Sequence, residues 1–217
     1  MKKLVLIAVF LIGFSIVAGA QGYYDYPAYQ FFGGYSNLHN QTVDPLTQNV
    51  GRRGTSEVDM NGWNLAIAIN GNKRVAAVVD MSGHYGKISS LEGRIYLPVE
   101  SHNFKSHSVM FGPKVNFTKG KITPFVQSLL GDVHTNIGGE STYYVPAGPG
   151  RAAQWLSGNR HTTNNFAVSI GGGLDIAVND KLGVRVFQAD YFWVRTTGFY
   201  RDNVRVSTGI TWNVEKR

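Results

Sequence analysis

The chain contains no cysteine. That excludes a disulfide scaffold, a thiolate zinc site and lipid attachment through an N-terminal cysteine. Long hydrophobic runs are also missing beyond residue 17, because every later apolar stretch is broken by a polar or small residue at about every second position, so a spanning helix is excluded from the body of the chain. Charge is sparse at 16% Asp, Glu, Lys and Arg. The basic residues are scattered rather than clustered, which argues against a nucleic-acid partner in spite of a formal net charge of +7.

The N-terminus has the make-up of a processing signal. Lys2 and Lys3 form a positive start, Leu4 to Val17 an apolar run, and Ala18-Gly19-Ala20 supplies small residues before Gln21. The run is shorter than the roughly 18 residues of a membrane anchor. Residues 1–20 are therefore read as a cleaved signal peptide and 21–217 as one domain, exported and stabilised without disulfides. Without Lys2 and Lys3 the 21 basic residues become 19 against 14 acids, about +5, a charge suited to an anionic surface.

Alternation of period two recurs through the rest. Trp63, Leu65, Ile67 and Ile69 oppose Asn64, Ala66 and Ala68; Val75, Ala77, Val79 and Met81 oppose Ala76, Val78, Asp80 and Ser82. The same holds for Val109, Phe111, Pro113 and Val115 against Ser108, Met110, Gly112 and Lys114. It returns with Phe166, Val168, Ile170, Leu174 and Ile176 against Ser169, Gly171, Gly173 and Asp175, and with Val204, Val206, Ile210, Trp212 and Val214 against Arg205, Ser207, Gly209 and Thr211. Such segments are strands with one bulky apolar face. Three less regular strands are placed at 29–36, 121–131 and 182–195. In the last, the parity changes between Val186 and Gln188, which puts Gln188 and Asp190 on the polar face and predicts a bulge.

Eight strands result, and their connections alternate in length. Short turns are expected at Asn70-Gly71-Asn72-Lys73, Thr118-Lys119-Gly120-Lys121 and Asn179-Asp180-Lys181. The others span about 38–57, 85–104, 133–163 and, shorter, 196–203. An all-β, antiparallel, up-and-down barrel with eight strands puts the short turns at one end and the long loops at the other. A soluble lipocalin-like barrel would enclose the apolar face. Three features favour the inverse, a transmembrane barrel. The polar faces are rich in Gly, Ala and Ser, as a narrow lumen requires, and the apolar faces run for about ten residues, the reach of a tilted membrane strand. Trp63, Phe117, Phe166, Trp193 and Trp212, with Tyr29 and Phe31, would supply aromatic girdles at the two interfaces.

Over residues 28–214 the chain resembles the small outer-membrane β-barrel proteins of the OmpA and OmpX type. The residues that carry the likeness are Asp80-Met81-Ser82-Gly83-His84-Tyr85-Gly86, Thr123-Pro124-Phe125 and Arg185-Val186-Phe187-Gln188-Ala189-Asp190-Tyr191. The resemblance implies residence in the outer membrane of a Gram-negative cell envelope and insertion by the outer-membrane assembly machinery. It also implies contact with outer-membrane lipid and lipopolysaccharide. Such barrels end on an aromatic residue, whereas here five residues follow Trp212. The chain stops after the eighth strand, so no peptidoglycan-binding domain is expected.

No catalytic site is expected. His107 adjoins Ser108, but neighbours in a strand point to opposite faces, and no other nucleophile and base are placed on one strand face at workable spacing. Gly171-Gly172-Gly173 lacks the following Lys-Ser/Thr of a phosphate loop and is read as a close backbone approach. The six histidines (His39, His84, His102, His107, His134, His161) are placed in external loops or at external strand ends without metal-ligand spacing, so no metal or cofactor is expected. Arg52, Arg53, Lys87, Arg94, Lys105, Arg151 and Arg160, in the same loops, could meet lipopolysaccharide phosphates or be simply solvated.

The charged residues Asp80, Lys114, Asp175, Arg185 and Arg205 fall on polar faces, where they must be paired to be tolerated. With Val178 and Leu182 both outward, the shortest hairpin register sets Asp175 directly opposite Arg185 and predicts a salt bridge in a plug that closes the lumen. The sequence thus reads as a non-enzymatic, monomeric outer-membrane barrel with a structural or surface-interaction role, its external loops meeting lipopolysaccharide, a partner or a host surface. A lipid-active barrel enzyme and a narrow channel are the alternatives, bulk porin transport being disfavoured because eight strands enclose little more than their own side chains.

Overall fold

The computed structural model describes residues 26–43, 55–89, 101–138, 142–145, 154–157, 161–196 and 199–214. The expected signal peptide, 1–20, lies outside them. The strands are β1 (Tyr29–Val43), β2 (Thr55–Asn70), β3 (Val75–Ser89), β4 (Ser101–Asn116), β5 (Ile122–Gly138), β6 (Thr142–Val145), β7 (Gln154–Ser157), β8 (His161–Ala177), β9 (Leu182–Thr196) and β10 (Phe199–Val214). Eight of them close into an antiparallel barrel in the order β1-β10-β9-β8-β5-β4-β3-β2, and β6 and β7 pair as a separate hairpin. Closure gives every barrel strand two neighbours and leaves no edge to pair with another chain.

The two faces of the wall divide by chemistry. Ile210, Trp212, Val109, Phe187, Ile170 and Val126 are all about half exposed on the outside. Their neighbours along each strand point inward, where Asp80, Asn64, Ser169, Gln188, Arg205 and Thr211 are buried. This is the inverse of a water-soluble barrel, and it gives the outer wall the chemistry of a lipid-facing surface.

The short turns join β2 to β3, β4 to β5 and β8 to β9. Two use the same device: the Asn72 side-chain oxygen accepts from the Arg74 and Val75 amides at 2.7 and 2.8 Å, and Asn179 from Lys181 and Leu182 at 2.9 and 2.7 Å. In the third, Gly120 adopts φ 60°, the left-handed region that favours glycine.

The other end differs from the sequence expectation. The strands run well past the apolar alternation, to Val43, from Thr55, to Ser89, from Ser101, to Gly138 and from His161. The connections expected at 38–57, 85–104 and 133–163 are correspondingly shorter, the last also holding the β6/β7 hairpin, and β9 and β10 are separated only by residues 197 and 198. Beyond the lipid nothing requires an apolar outer face, but backbone groups still need partners, so the ladder continues without its sequence signal.

The parity change in β9 is a bulge. Its register with β8 shifts between Leu174, opposite Phe187, and Asp175, opposite Arg185, so that Val186 is the extra residue. Val186 and Phe187 both face outward. The same bulge shifts the β10 register between Ser207 and Gly209, and Thr208 Oγ1 closes the gap by donating to the Arg185 carbonyl at 3.0 Å.

Candidate functional site

Stagger between strands decides which inward side chains meet. The Asn70 amide bonds the Ala28 carbonyl, and directly opposed residues then run from Asn70 through Ala76, Lys114, Gln127, Gly171, Asp190 and Arg205 to Leu38. The circuit returns to β1 ten residues beyond Ala28, which is the tilt that closure requires. Lys114, Gln127, Asp190 and Arg205 thus lie on one inward-facing line although they are far apart in sequence.

Gly171 lies between Gln127 and Asp190 on that line. A Cβ there would sit 2.1 Å from Asp190 Oδ1, and in its absence Gln127 Nε2 donates to that oxygen at 2.9 Å. Gly173 leaves similar room for the Phe125 ring, 2.8 Å from where its Cβ would be. Close approach is what these glycines provide.

Two clusters result. In the first, Arg205 is held between Asp80, with bonds of 2.6 and 3.1 Å, and Asp190, with bonds of 2.7 and 3.0 Å. In the second, Arg185 donates to both oxygens of Asp175 at 2.7 and 3.0 Å, and Lys114 Nζ lies 3.6 Å from the same carboxylate. Gln188 joins them, accepting from Arg185 Nη1 at 2.6 Å and donating to Asp190 Oδ2 at 2.6 Å. Lys114 also donates to Gln30 Oε1 at 3.0 Å. The guanidinium of Arg185 lies over the rings of Phe32 and Phe125 at 4.2 and 4.5 Å, and that of Arg205 over Phe192 at 4.9 Å. Every barrel strand except β2 contributes a bonded side chain.

All five charged residues singled out from sequence are buried here, but one more belongs with them. The strand alternation places Asp190 on the polar face but outside the expected ionic set. That set held two acids and three bases, leaving one cation over, and this imbalance was the available signal. With Asp190 the described lumen holds Asp80, Asp175 and Asp190 against Lys114, Arg185 and Arg205. Such balance is what a low-dielectric interior requires.

Above the charges the lumen is lined with hydroxyls and closed by apolar groups. Ser82 and Ser108 share a bond of 2.7 Å, and Leu38, Met60 and Phe104 form a buried cluster toward the long-loop end. At the charged end a cavity of about 10 Å³ remains beside Gln30, Lys114, Gln127 and Arg185, room for about one water. Among the described residues, the lumen around the charges is filled by its own side chains.

One sequence expectation is corrected. His84 is not at an external position: it is buried on β3 inside the barrel. It also meets a nucleophile that spacing along one strand face does not place there: Ser36 Oγ lies 2.8 Å from His84 Nε2 and accepts from Ser207 Oγ at 2.9 Å. Strand spacing could not reveal it, since the partners come from β1 and β3, which are not adjacent. Among the described residues no carboxylate bonds His84, and the pair lies beneath the Leu38, Met60 and Phe104 cluster. Acyl transfer needs an orienting group and access; among the described residues no such group is seen, and both side chains are buried. Ser108 faces the lumen while His107 points outward, 3.2 Å from the Tyr85 hydroxyl.

His39 lies on the outer wall, 2.7 Å from Asp59, and His134 bonds Asn164. The side chains of His102 and His161 lie outside the described residues. Among the described residues no three ligating groups converge. The aromatic residues separate by height: Phe117 and Trp212 lie at the short-turn end, whereas Trp63, Phe166 and Trp193 lie within their strands near the far limit of the apolar wall. Trp63 also lies across Gly83, its indole 2.7 Å from where a Cβ would stand.

No protein-family model matches the chain, and no curated protein matches it by sequence. Solved structures do match. Neisserial surface protein A has a TM-score of 0.54 at 10% identity, over 84% of this chain and 96% of that one. The outer membrane protein OprG from Pseudomonas aeruginosa has 0.52 at 10%, over 89% and 98%. Ail, the attachment invasion locus protein of Yersinia pestis, in complex with the heparin analogue sucrose octasulfate, has 0.50 at 14%, over 84% and 97%. At such identities the likeness is one of fold: this chain is an eight-stranded barrel of the outer-membrane type.

Proposed function

We propose that the mature chain is a non-enzymatic protein of the cell outer membrane, with a structural or surface-interaction role exercised from its long-loop end. The observation that carries this reading is the inverted wall. Apolar side chains cover the outside, while the inside is packed and neutralised by its own ion pairs, so neither a conducting path nor an accessible reactive group is apparent among the described residues. The interior charges act as a plug and brace. The aromatic residues Trp63, Phe117, Phe166, Trp193 and Trp212 anchor the barrel at the two lipid interfaces.

In this orientation the short turns face the periplasm and the residues between β5 and β8 face outward. Lys87 and Lys105 are exposed on the outer wall near that end, in position to meet lipopolysaccharide phosphates. Arg52, Arg53, Arg94, Arg151 and Arg160 lie outside the described residues. One of the similar barrels, Ail, is seen with a sulfated heparin analogue, which supports looking for an anionic ligand here.

Cell fractionation tests the reading. The mature chain, beginning near Gln21, should be recovered from detergent-extracted outer membrane, and protease added to intact cells should cut near Arg151 or Arg160 but not at Lys119. Recovery as a soluble periplasmic protein, or cutting confined to the short turns, contradicts it.

A further inference from the structure

The short-turn end carries a concentration of positive charge that the reading above leaves unused. Lys73 and Arg74 lie in the β2–β3 turn, Lys119 and Lys121 in the β4–β5 turn, and Lys181 in the β8–β9 turn, all exposed. The only carboxylate in these three turns is Asp180. Among the described residues of these turns, five cations stand against that one anion. Asparagine caps hold the Arg74 and Lys181 amides in the same way in two turns. In the third, Lys119 and Lys121 flank Gly120, around which a Cβ would find open space.

In two of the turns the cations adjoin exposed apolar side chains of the outer wall. Phe117 and Ile122 flank Lys119 and Lys121, and Val178 and Leu182 flank Lys181; these four side chains are 56%, 47%, 60% and 44% exposed. A lysine or arginine beside the rim of an apolar wall can lay its stem along that wall and hold its charge at headgroup height. The turns are spread round the circumference, so the charges face a surrounding leaflet rather than a single pocket.

We propose that the short-turn end binds the anionic headgroups of the phospholipid leaflet around it, through Lys73, Arg74, Lys119, Lys121 and Lys181. The occupant is a phosphodiester lipid of net negative charge, such as phosphatidylglycerol. Binding is electrostatic and distributed, and so sensitive to salt. The inference rests on the barrel's spanning a membrane.

The test compares unfolding midpoints of the mature barrel in phosphatidylcholine vesicles with and without phosphatidylglycerol. Phosphatidylglycerol should raise the midpoint at low salt, and the rise should disappear near about 1 M salt, where screening reaches about 3 Å. A variant with all five residues changed to Gln should have the same midpoint in both lipids. Folding into phosphatidylcholine without any effect of phosphatidylglycerol overturns the lipid inference alone. So does a rise that survives in the five-Gln variant. Failure to insert into either lipid overturns the membrane reading itself.

Discussion

Asp175 on β8 and Arg185 on β9 stand directly opposite each other inside the barrel, joined by two hydrogen bonds of 2.7 and 3.0 Å. Both side chains are almost fully removed from solvent, so neither charge is tolerable alone. Asp175→Ala and Arg185→Ala should each lower stability by about 3 to 5 kcal/mol, and the double variant by less than the sum. Urea or guanidinium midpoints of the folded barrel in detergent measure this. Additive losses would mean that the pair is not coupled.

Arg205 is shared by two carboxylates, which makes its loss distinctive. Arg205→Met leaves Asp80 and Asp190 buried without their cation, and should destabilise the barrel by at least about 3 kcal/mol. Adding Asp80→Asn and Asp190→Asn should recover part of the loss by removing the uncompensated charges. If the triple variant is less stable than Arg205→Met, charge compensation is not what Arg205 provides.

Gly171→Ala should be severe for one methyl group. Its Cβ would stand 2.1 Å from Asp190 Oδ1 and 2.4 Å from the Ala189 carbonyl oxygen, so the Gln127 to Asp190 bond or the strand spacing must give way. A loss of about 1 to 3 kcal/mol is expected, in the range of overpacking. A neutral result would show that the wall relaxes more easily than its close packing implies.

The buried Ser36 and His84 pair gives a chemical prediction. Purified barrel should neither deacylate lipid A nor cut peptides, and Ser36→Ala should register as a stability loss of about 1 to 3 kcal/mol because the His84 ring and Ser207 lose their partner. Turnover in the parent that disappears in a folded Ser36→Ala barrel would falsify the non-enzymatic assignment.

The membrane-embedded half of the barrel was legible in the sequence because lipid imposes a rule on every second residue. Val204, Val206, Ile210 and Trp212 could be assigned outward for that reason. The β9 bulge was legible for the same reason, since Val186 and Phe187 break the rule within otherwise regular flanks. The Asp175 and Arg185 register is the one that the shortest hairpin between Val178 and Leu182 gives. Beyond the lipid the rule lapses, so the extensions of β1 to Val43 and β5 to Gly138 left no trace. Contacts between strands that are not neighbours, Ser36 with His84 and Asp80 with Arg205 among them, depend on the ten-residue stagger of the whole wall. That stagger is fixed by closure and cannot be read from any one segment.

The natural absence of cysteine makes the inverted wall directly measurable along β10. Single cysteines at 206, 208, 210 and 212 in the folded, vesicle-inserted barrel should carry a fluorophore that brominated phospholipid quenches, whereas cysteines at 207 and 211 should resist a thiol reagent until the barrel unfolds. Quenching that alternates with every second residue is the predicted result. Unquenched labels at the first set, or ready modification of the second by a water-soluble reagent, would contradict a lipid-facing wall around a packed interior.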